Sequence, residues 1–167
     1  MRSFTSQYDY ATQPAELVRL WCDPEFLAAV GHRFGGVGEP EITRAGTEMH
    51  VVTRRQLPLD KIPSFVRRFI ADGTLQQTDV WPAEPGDGTP LTGAWTVEGS
   101  MPAKMSGTQT VEPTATGCRI EVRGTVDVSA PLVAGKIEDL ISREITKLIG
   151  VQQAFAAQWL AGERPAA

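Results

Sequence analysis

Hydrophobic and polar residues alternate along most of the chain, which is the pattern of β-strands that bury one face. Residues 2–11 predict a first strand, and six more strands are expected between residues 38 and 128. Their links are short, so consecutive strands should pair as an antiparallel meander. The six later strands are predicted at residues 38–45, 47–56, 74–82, 90–98, 104–113 and 116–128.

Hydrophobic residues recur at helical spacing in the remaining segments. Two short helices are predicted after the first strand, one over residues 14–21 and one that begins at Asp23 and ends at Gly31. Residues 132–160 predict a long amphipathic helix, whose length of about 43 Å is enough to cross the whole sheet. Residues 58–73 interrupt the strands and predict a short helix or structured loop.

The predicted strand at residues 116–128 has the clearest two-faced pattern. Charged and polar residues occupy one set of alternate positions, and hydrophobic residues occupy the other. One face of the sheet is therefore expected to meet solvent while the long helix covers the other. The predicted fold class is α+β.

The N-terminal part of the chain combines a strand ending in alanine and proline, a helix with an aromatic residue, and an Asp-Pro pair. This segment resembles the opening of the START-like superfamily, also called polyketide cyclase/dehydrase-like, pollen-allergen-like or SRPBCC proteins. Two residues separate Ala11 from Pro14 here, and Trp21 lies later than the usual aromatic residue. The residues that carry the resemblance are Tyr8, Ala11, Pro14, Ala15, Glu16, Val18, Trp21, Asp23, Pro24 and Ala28.

The order of predicted elements is similar to that of the superfamily over nearly the whole chain, and in particular to an actinobacterial branch of unknown function. The resemblance implies a helix-grip fold in a single domain over residues 1–167. In that fold a seven-stranded curved antiparallel sheet wraps around the long C-terminal helix, with two short helices between strands 1 and 2. Residues 161–167 are then a tail. Members of the superfamily often hold lipids, sterols or polyketides between sheet and helix, so a cavity is expected there.

Two glycines bear on that cavity. Gly93 and Gly107 lie at inward positions of two predicted strands. They either free volume for a ligand or relieve the curvature of the sheet, and the sequence leaves both interpretations open.

The candidate ligand-binding residues combine bulky apolar side chains with two polar ones. Gln109 is an inward amide, and Glu144 lies on or beside the apolar arc of the long helix, where it is also the candidate acid or base of an enzyme. Glu144 is alternatively exposed or paired with an arginine, and the tryptophans and methionines are alternatively ordinary core. The predicted set is Phe65, Phe69, Trp81, Trp95, Met105, Gln109, Ile141, Glu144 and Leu148.

The pattern within residues 58–73 also predicts a lid over the cavity. Phe65 and Phe69 are expected to face inwards, and Arg67 and Arg68 outwards. The two arginines either contact an acidic ligand group or an anionic membrane surface, or are simply solvated.

Charge and composition exclude several classes of protein. Sixteen lysines and arginines against 20 aspartates and glutamates give a net charge of −4, which argues against nucleic acid as a partner. The two cysteines and two histidines are scattered, so no disulfide framework, metal site or cofactor is predicted. The glycine-rich residues 31–38 precede a strand and lack a Gly-Lys-Ser/Thr ending, unlike a phosphate loop. With no signal peptide or transmembrane segment in the sequence, a cytoplasmic location is expected.

The leading hypothesis is the binding or carriage of a hydrophobic or lipid-like small molecule between the sheet and the C-terminal helix. The alternative is an enzyme similar to a polyketide cyclase, dehydratase or hydrolase that uses the same cavity. A second alternative is a protein-interaction module that contacts its partner through the outer sheet face or the lid. No motif carries catalysis beyond the resemblance, so the expectation leans towards a binding protein.

Overall fold

A computed structural model describes residues 1–164 of the protein. Within these residues seven antiparallel strands form one sheet in the order β1-β7-β6-β5-β4-β3-β2. The predicted meander and fold class are therefore confirmed, and the last three residues of the predicted tail lie outside the described residues. The strands are β1 (Arg2–Tyr10), β2 (Gly36–Ala45), β3 (Glu48–Gln56), β4 (Thr74–Pro82), β5 (Leu91–Gly99), β6 (Ala103–Thr114) and β7 (Gly117–Val128).

The described helices lie where helical spacing predicted them. Two short helices separate the first two strands, a single turn follows β3, and a long helix ends the fold. This long helix begins two residues later than predicted. The helices are α1 (Pro14–Leu20), α2 (Pro24–Phe34), α3 (Ser64–Arg67) and α4 (Ala134–Leu160), and a short 3₁₀ helix (Leu59–Lys61) precedes α3.

Helix α2 is longer than the sequence predicted. The Asp23 carboxylate caps it by accepting hydrogen bonds from the backbone N–H groups of the first turn. The prediction that Gly31 ends the helix is wrong, because α2 continues to Phe34 and ends at Gly35 in the left-handed conformation, with φ of 80°. The close approach of the two segments requires a glycine at Gly36, at the start of β2, where an added Cβ would lie 2.5 Å from the Gly31 Cα.

Two tryptophans lie across glycines on the inner face of the sheet. A Cβ added to Gly124 would lie 2.8 Å from Cη2 of Trp95, and one added to Gly93 would lie 2.8 Å from Cε3 of Trp81. The Trp95 indole N–H donates to the Arg123 carbonyl oxygen at 3.3 Å. The rings therefore occupy the space that side chains at these positions would otherwise fill.

Helix α4 is tied to one side of the sheet. It packs chiefly against β1 and β7. The Tyr10 hydroxyl donates to the Gln153 carbonyl oxygen at 3.0 Å, and the Val128 backbone N–H donates to Glu138 Oε1 at 3.0 Å. Both anchor residues on α4 are buried. Because the helix is fixed over β1 and β7, the inner face of the strands on the other side is not sealed by it.

The packing of Trp95 predicts that Gly124→Ala destabilises the fold. The added methyl group must displace the Trp95 and Phe4 rings, and such overpacking costs about 1–3 kcal/mol, or several degrees in Tm for a chain of this size. Thermal denaturation followed by circular dichroism measures the change. The matched control is Gly86→Ala, because nothing lies within 4 Å of a Cβ added in that loop. Equal Tm values for the two variants would contradict the role assigned to Gly124.

Candidate functional site

A cavity of about 120 Å³ lies between α4 and the strands that this helix does not seal. The indole rings of Trp81 and Trp95 border it on the sheet side. Three aliphatic residues of α4 border it on the helix side, namely Ile145, Leu148 and Ile149. Most of the wall is therefore apolar, with a polar region on β3, β4 and β6 and two glutamines, Gln152 and Gln153, on α4.

The centre of the polar region is the carboxyl group of Asp79. The side-chain amide of Gln77 donates to Asp79 Oδ2 at 2.9 Å, and that of Gln109 donates to Oδ1 at 3.0 Å. Burial raises the pKa of Asp79 to about 6, and this exceeds the opposing effect of the two amide donors and of the Arg55 charge. The group is thus able to gain or lose a proton near neutral pH.

Arg55 on β3 brings a positive charge to the same cavity. Burial lowers the pKa of Arg55, while the Asp79 charge opposes this, and a guanidinium stays protonated at neutral pH. Within residues 1–164 the Arg55 side chain makes neither a salt bridge nor a hydrogen bond, whereas the adjacent Arg54 lies 3.4 Å from Glu41. The cavity therefore holds a cation and an acid that are not directly paired.

Trp21, which follows α1, contributes a donor from the helical side of the cavity. Its ring packs edge-on against Phe26, with 5.0 Å between ring centroids. The indole N–H is buried and has no hydrogen-bond partner among the described residues. A buried donor without a partner is costly.

The neighbouring Cys22 does not add a nucleophile. Burial raises the pKa of its thiol to about 11, and the Asp79 charge acts in the same direction. Reactive cysteines have lowered pKa values, so the Cys22 thiol is protonated and unreactive at neutral pH.

The structure brings four of the nine predicted site residues together at the cavity, Trp81, Trp95, Gln109 and Leu148. Phe69 and Ile141 border a separate space of only about 10 Å³, where α3 and the residues after it meet α4. The two remaining apolar candidates, Phe65 and Met105, border neither space, and Met105 is buried in the core.

In the predicted lid, residues 58–73, the buried side chains are not the ones that the sequence predicted. Val66 and Ile70 are its buried side chains, while Phe65 and Phe69 are only half-buried. Arg67 and Arg68 are exposed, as predicted. The segment thus closes the small space beside α4 and does not border the 120 Å³ cavity.

The prediction that Glu144 projects into the interior is wrong. Its side chain is 58% exposed, and its carboxylate lies 3.0 Å from the Lys147 ammonium group one turn away. Successive helix residues are about 100° apart, so the rotation that turns Ile145 and Leu148 towards the cavity turns Glu144 towards solvent.

The inner-face glycines do not open the cavity. Neither Gly93 nor Gly107 borders it. Trp81 covers Gly93, and a Cβ added to Gly107 would lie 2.7 Å from the Gly124 Cα on β7. Gly93 and Gly107 are therefore explained by close packing and by the curvature of the sheet, and not by volume left free for a ligand.

Sequence reasoning missed the polar residues Asp79, Gln77 and Arg55. One signal could have found two of them, because side chains two residues apart in a strand share a face. An inward Trp81 places Asp79 and Gln77 on the same face of β4, and all three border the cavity.

Residues 1–164 contain no group of three or more histidine, cysteine, aspartate or glutamate side chains placed to hold a metal ion. Among the helices in this range, none combines the length and apolar character needed to cross a membrane.

Solved structures share this fold at low sequence identity. A protein of Thermus thermophilus aligns over 98% of this chain and 100% of its own, with a TM-score of 0.64 and 12% identity. The Zhui aromatase/cyclase from Streptomyces sp. R1128 covers 99% and 96%, with a TM-score of 0.60 and 14% identity. The di-domain ARO/CYC StfQ from the steffimycin biosynthetic pathway covers 96% and 51%, with a TM-score of 0.65 and 13% identity. These likenesses confirm the predicted helix-grip fold.

Sequence comparison identifies the family. Uncharacterised proteins of Mycobacterium tuberculosis H37Rv and Mycobacterium bovis are each 24% identical to this chain over 170 residues, covering 95% of it and 97% of theirs. These relatives agree with the predicted actinobacterial branch. The family described as "Protein of unknown function (DUF2505)" matches residues 5–160, almost the entire chain, and the protein therefore belongs to the DUF2505 family.

Proposed function

We propose that this protein binds a hydrophobic small molecule in the cavity between α4 and the inner face of the sheet. The observation that carries the proposal is the cavity itself, in which apolar walls surround a few convergent polar side chains. The likeness to aromatase/cyclases supports it at the level of the fold, because the same architecture is used by proteins that act on small molecules.

The size of the cavity sets what it holds in this conformation. A volume of about 120 Å³ is slightly below the ~150 Å³ of an engineered cavity that binds benzene, and below the ~300–1,000 Å³ of common ligand pockets. One ring or a short chain fits inside. A larger or lipid-like ligand extends into a surface groove of about 270 Å³ beside α2 and β2, which shares Leu27, Gly31, Gly36, Thr53 and Arg54 with the cavity.

The outer face of the sheet gives weaker support to an interaction module. Most of its side chains are polar or charged, and some of them pair, as Arg119 does with Asp9 at 2.7 Å, while Val52, Val80 and Ala94 are apolar positions on β3, β4 and β5. Interaction surfaces usually offer a contiguous apolar patch. The cavity is therefore the better-supported functional feature.

Filling the cavity should abolish ligand binding. We expect toluene to shift the NMR resonances of the Trp81 and Trp95 indole N–H groups in the native protein, and Leu148→Trp to remove this response because the indole occupies the same space. The matched control is Val151→Trp, since Val151 is 51% exposed on the same helix. No binding to the native protein, or equal binding to both variants, would overturn the proposal.

Asp79 gives the cavity a pH-dependent effect on stability. Its pKa is raised from 3.8 to about 6 in the folded state, so the folded protein binds the proton more tightly than the unfolded chain does. Tighter proton binding by Asp79 in the folded state therefore adds to the free energy of unfolding below about pH 4. The free energy of unfolding falls by up to about 3 kcal/mol as the pH rises through 6 and this contribution is lost.

Asp79→Asn should therefore raise Tm at pH 7.5 by several degrees, and the difference should vanish near pH 4. Thermal denaturation between pH 4 and 8 measures it. Asp60→Asn, at an exposed aspartate outside the cavity, is the control and should leave Tm unchanged at each pH. A loss of stability in Asp79→Asn at pH 7.5 would contradict the assignment.

A second candidate function is acid–base catalysis in the same cavity. The observation that favours it is Asp79, a carboxyl group inside the cavity that titrates near neutral pH. An enzyme of this kind uses Asp79 and not Glu144, which lies on the exposed face of α4.

Compounds that bind the cavity can be incubated with the protein and analysed by mass spectrometry for gain or loss of water. For a reaction in which Asp79 is the base, we expect the rate to fall below about pH 6 and Asp79→Asn to lower kcat by roughly 100-fold or more. Glu144→Gln is the matched control and should leave kcat unchanged. A reaction that Asp79→Asn leaves untouched would exclude this mechanism.

A further inference from the structure

Some polar groups of the cavity have hydrogen-bond partners within the protein and others do not. This difference points to the chemistry of the ligand. Each Asp79 oxygen already accepts a hydrogen bond from a glutamine amide. The Arg55 guanidinium and the Trp21 indole N–H, by contrast, have no hydrogen-bond partner within residues 1–164. Of the charged side chains that border the cavity, Arg55 is the one without a bonded partner among the described residues.

The strand register explains why Asp79 does not satisfy Arg55. Arg55 lies opposite Leu75 on β4, whereas Asp79 lies opposite Val51 on β3. The two residues are thus offset by four positions along the strands, or about 13 Å at 3.3 Å per residue. Gln77 lies between them on the same face of β4 and is bonded to Asp79. Asp79 is therefore bonded to amides and not to Arg55.

The following inference rests on the proposed function. We propose that the ligand carries a carboxylate group, which Arg55 binds. The apolar part of the ligand then lies against Trp81, Trp95 and the aliphatic side chains of α4. A guanidinium binds a carboxylate through two parallel hydrogen bonds, and one such cation matches one negative charge. Trp21 borders the same cavity from the helical side.

A cationic ligand fits the cavity less well. Each Asp79 oxygen already accepts one amide hydrogen bond, and burial disfavours the charge on that carboxyl group. An amine leaves the Arg55 charge without a bonded counterion and adds a like charge to the same cavity. The Arg55 guanidinium therefore favours an anionic ligand over a cationic one.

Probes that share one ring test the inference at pH 7.5. They are toluene, benzoate, benzamide and benzylamine, titrated into the full-length protein by NMR. We expect benzoate to bind at least ten-fold more tightly than benzamide or benzylamine. Arg55→Gln should lower the affinity for benzoate at least ten-fold and leave toluene unchanged, whereas Arg55→Lys should retain part of the preference.

Two further variants separate the effect of Arg55 from general electrostatics. Arg44→Gln removes an equal charge from β2, where Arg44 pairs with Glu84 away from the cavity, and should leave benzoate affinity unchanged. Asp79→Asn removes the negative charge of the cavity and should raise benzoate affinity. Circular dichroism confirms that each variant is folded.

The outcomes distinguish this inference from the proposed function on which it rests. If toluene binds but benzoate has no preference, or if Arg44→Gln and Arg55→Gln weaken benzoate equally, the carboxylate inference fails alone. Tighter binding of benzylamine than of benzoate would also overturn it. If no probe binds, toluene included, the proposed function fails as well.

Discussion

The packing of tryptophan rings onto inner-face glycines is the contact on which the rest of this fold depends. Trp95 on β5 extends across β6 to β7, where Gly124 leaves room for it, and its ring centroid lies 5.9 Å from that of Phe4 on β1. The ring thereby joins four strands. Aromatic side chains bury large areas in such positions, so this contact stabilises the sheet.

The same packing explains why the cavity has a polar side. Val51, Asp79 and Trp95 are consecutive members of one cross-strand row, which continues through Gly107 and Gly124. On the glycine side of this row Trp95 fills the interior, and α4 is bonded close to β1 and β7. On the side of Asp79 the cavity remains between the strands and α4. An acidic residue remains there because it is paired with amides and keeps access to the cavity.

Alternation of polar and apolar residues predicted the strands well, because it reports directly which face of the sheet is buried. It did not identify Asp79 or Arg55, since charged residues at strand positions are normally exposed and only the parity with Trp81 marked Asp79 as inward. The prediction for Glu144 was wrong for a different reason. Glu144 lies at the border of the apolar arc of α4, where a rotation of the helix by a few tens of degrees decides whether a side chain faces the interior or solvent. That rotation follows from the anchors Tyr10–Gln153 and Val128–Glu138, which join residues far apart in the sequence.

Net charge and local charge act on different length scales in this protein. The chain carries a net charge of −4, which by itself opposes the approach of an anion. At physiological ionic strength, however, exposed charges are screened beyond about 8 Å, whereas groups inside a cavity are screened much less. Arg55 borders the cavity and has no carboxylate bound to it in the described chain. The electrostatic preference of the site is therefore decided by Arg55 and Asp79, and the acidic surface mainly affects the rate of approach.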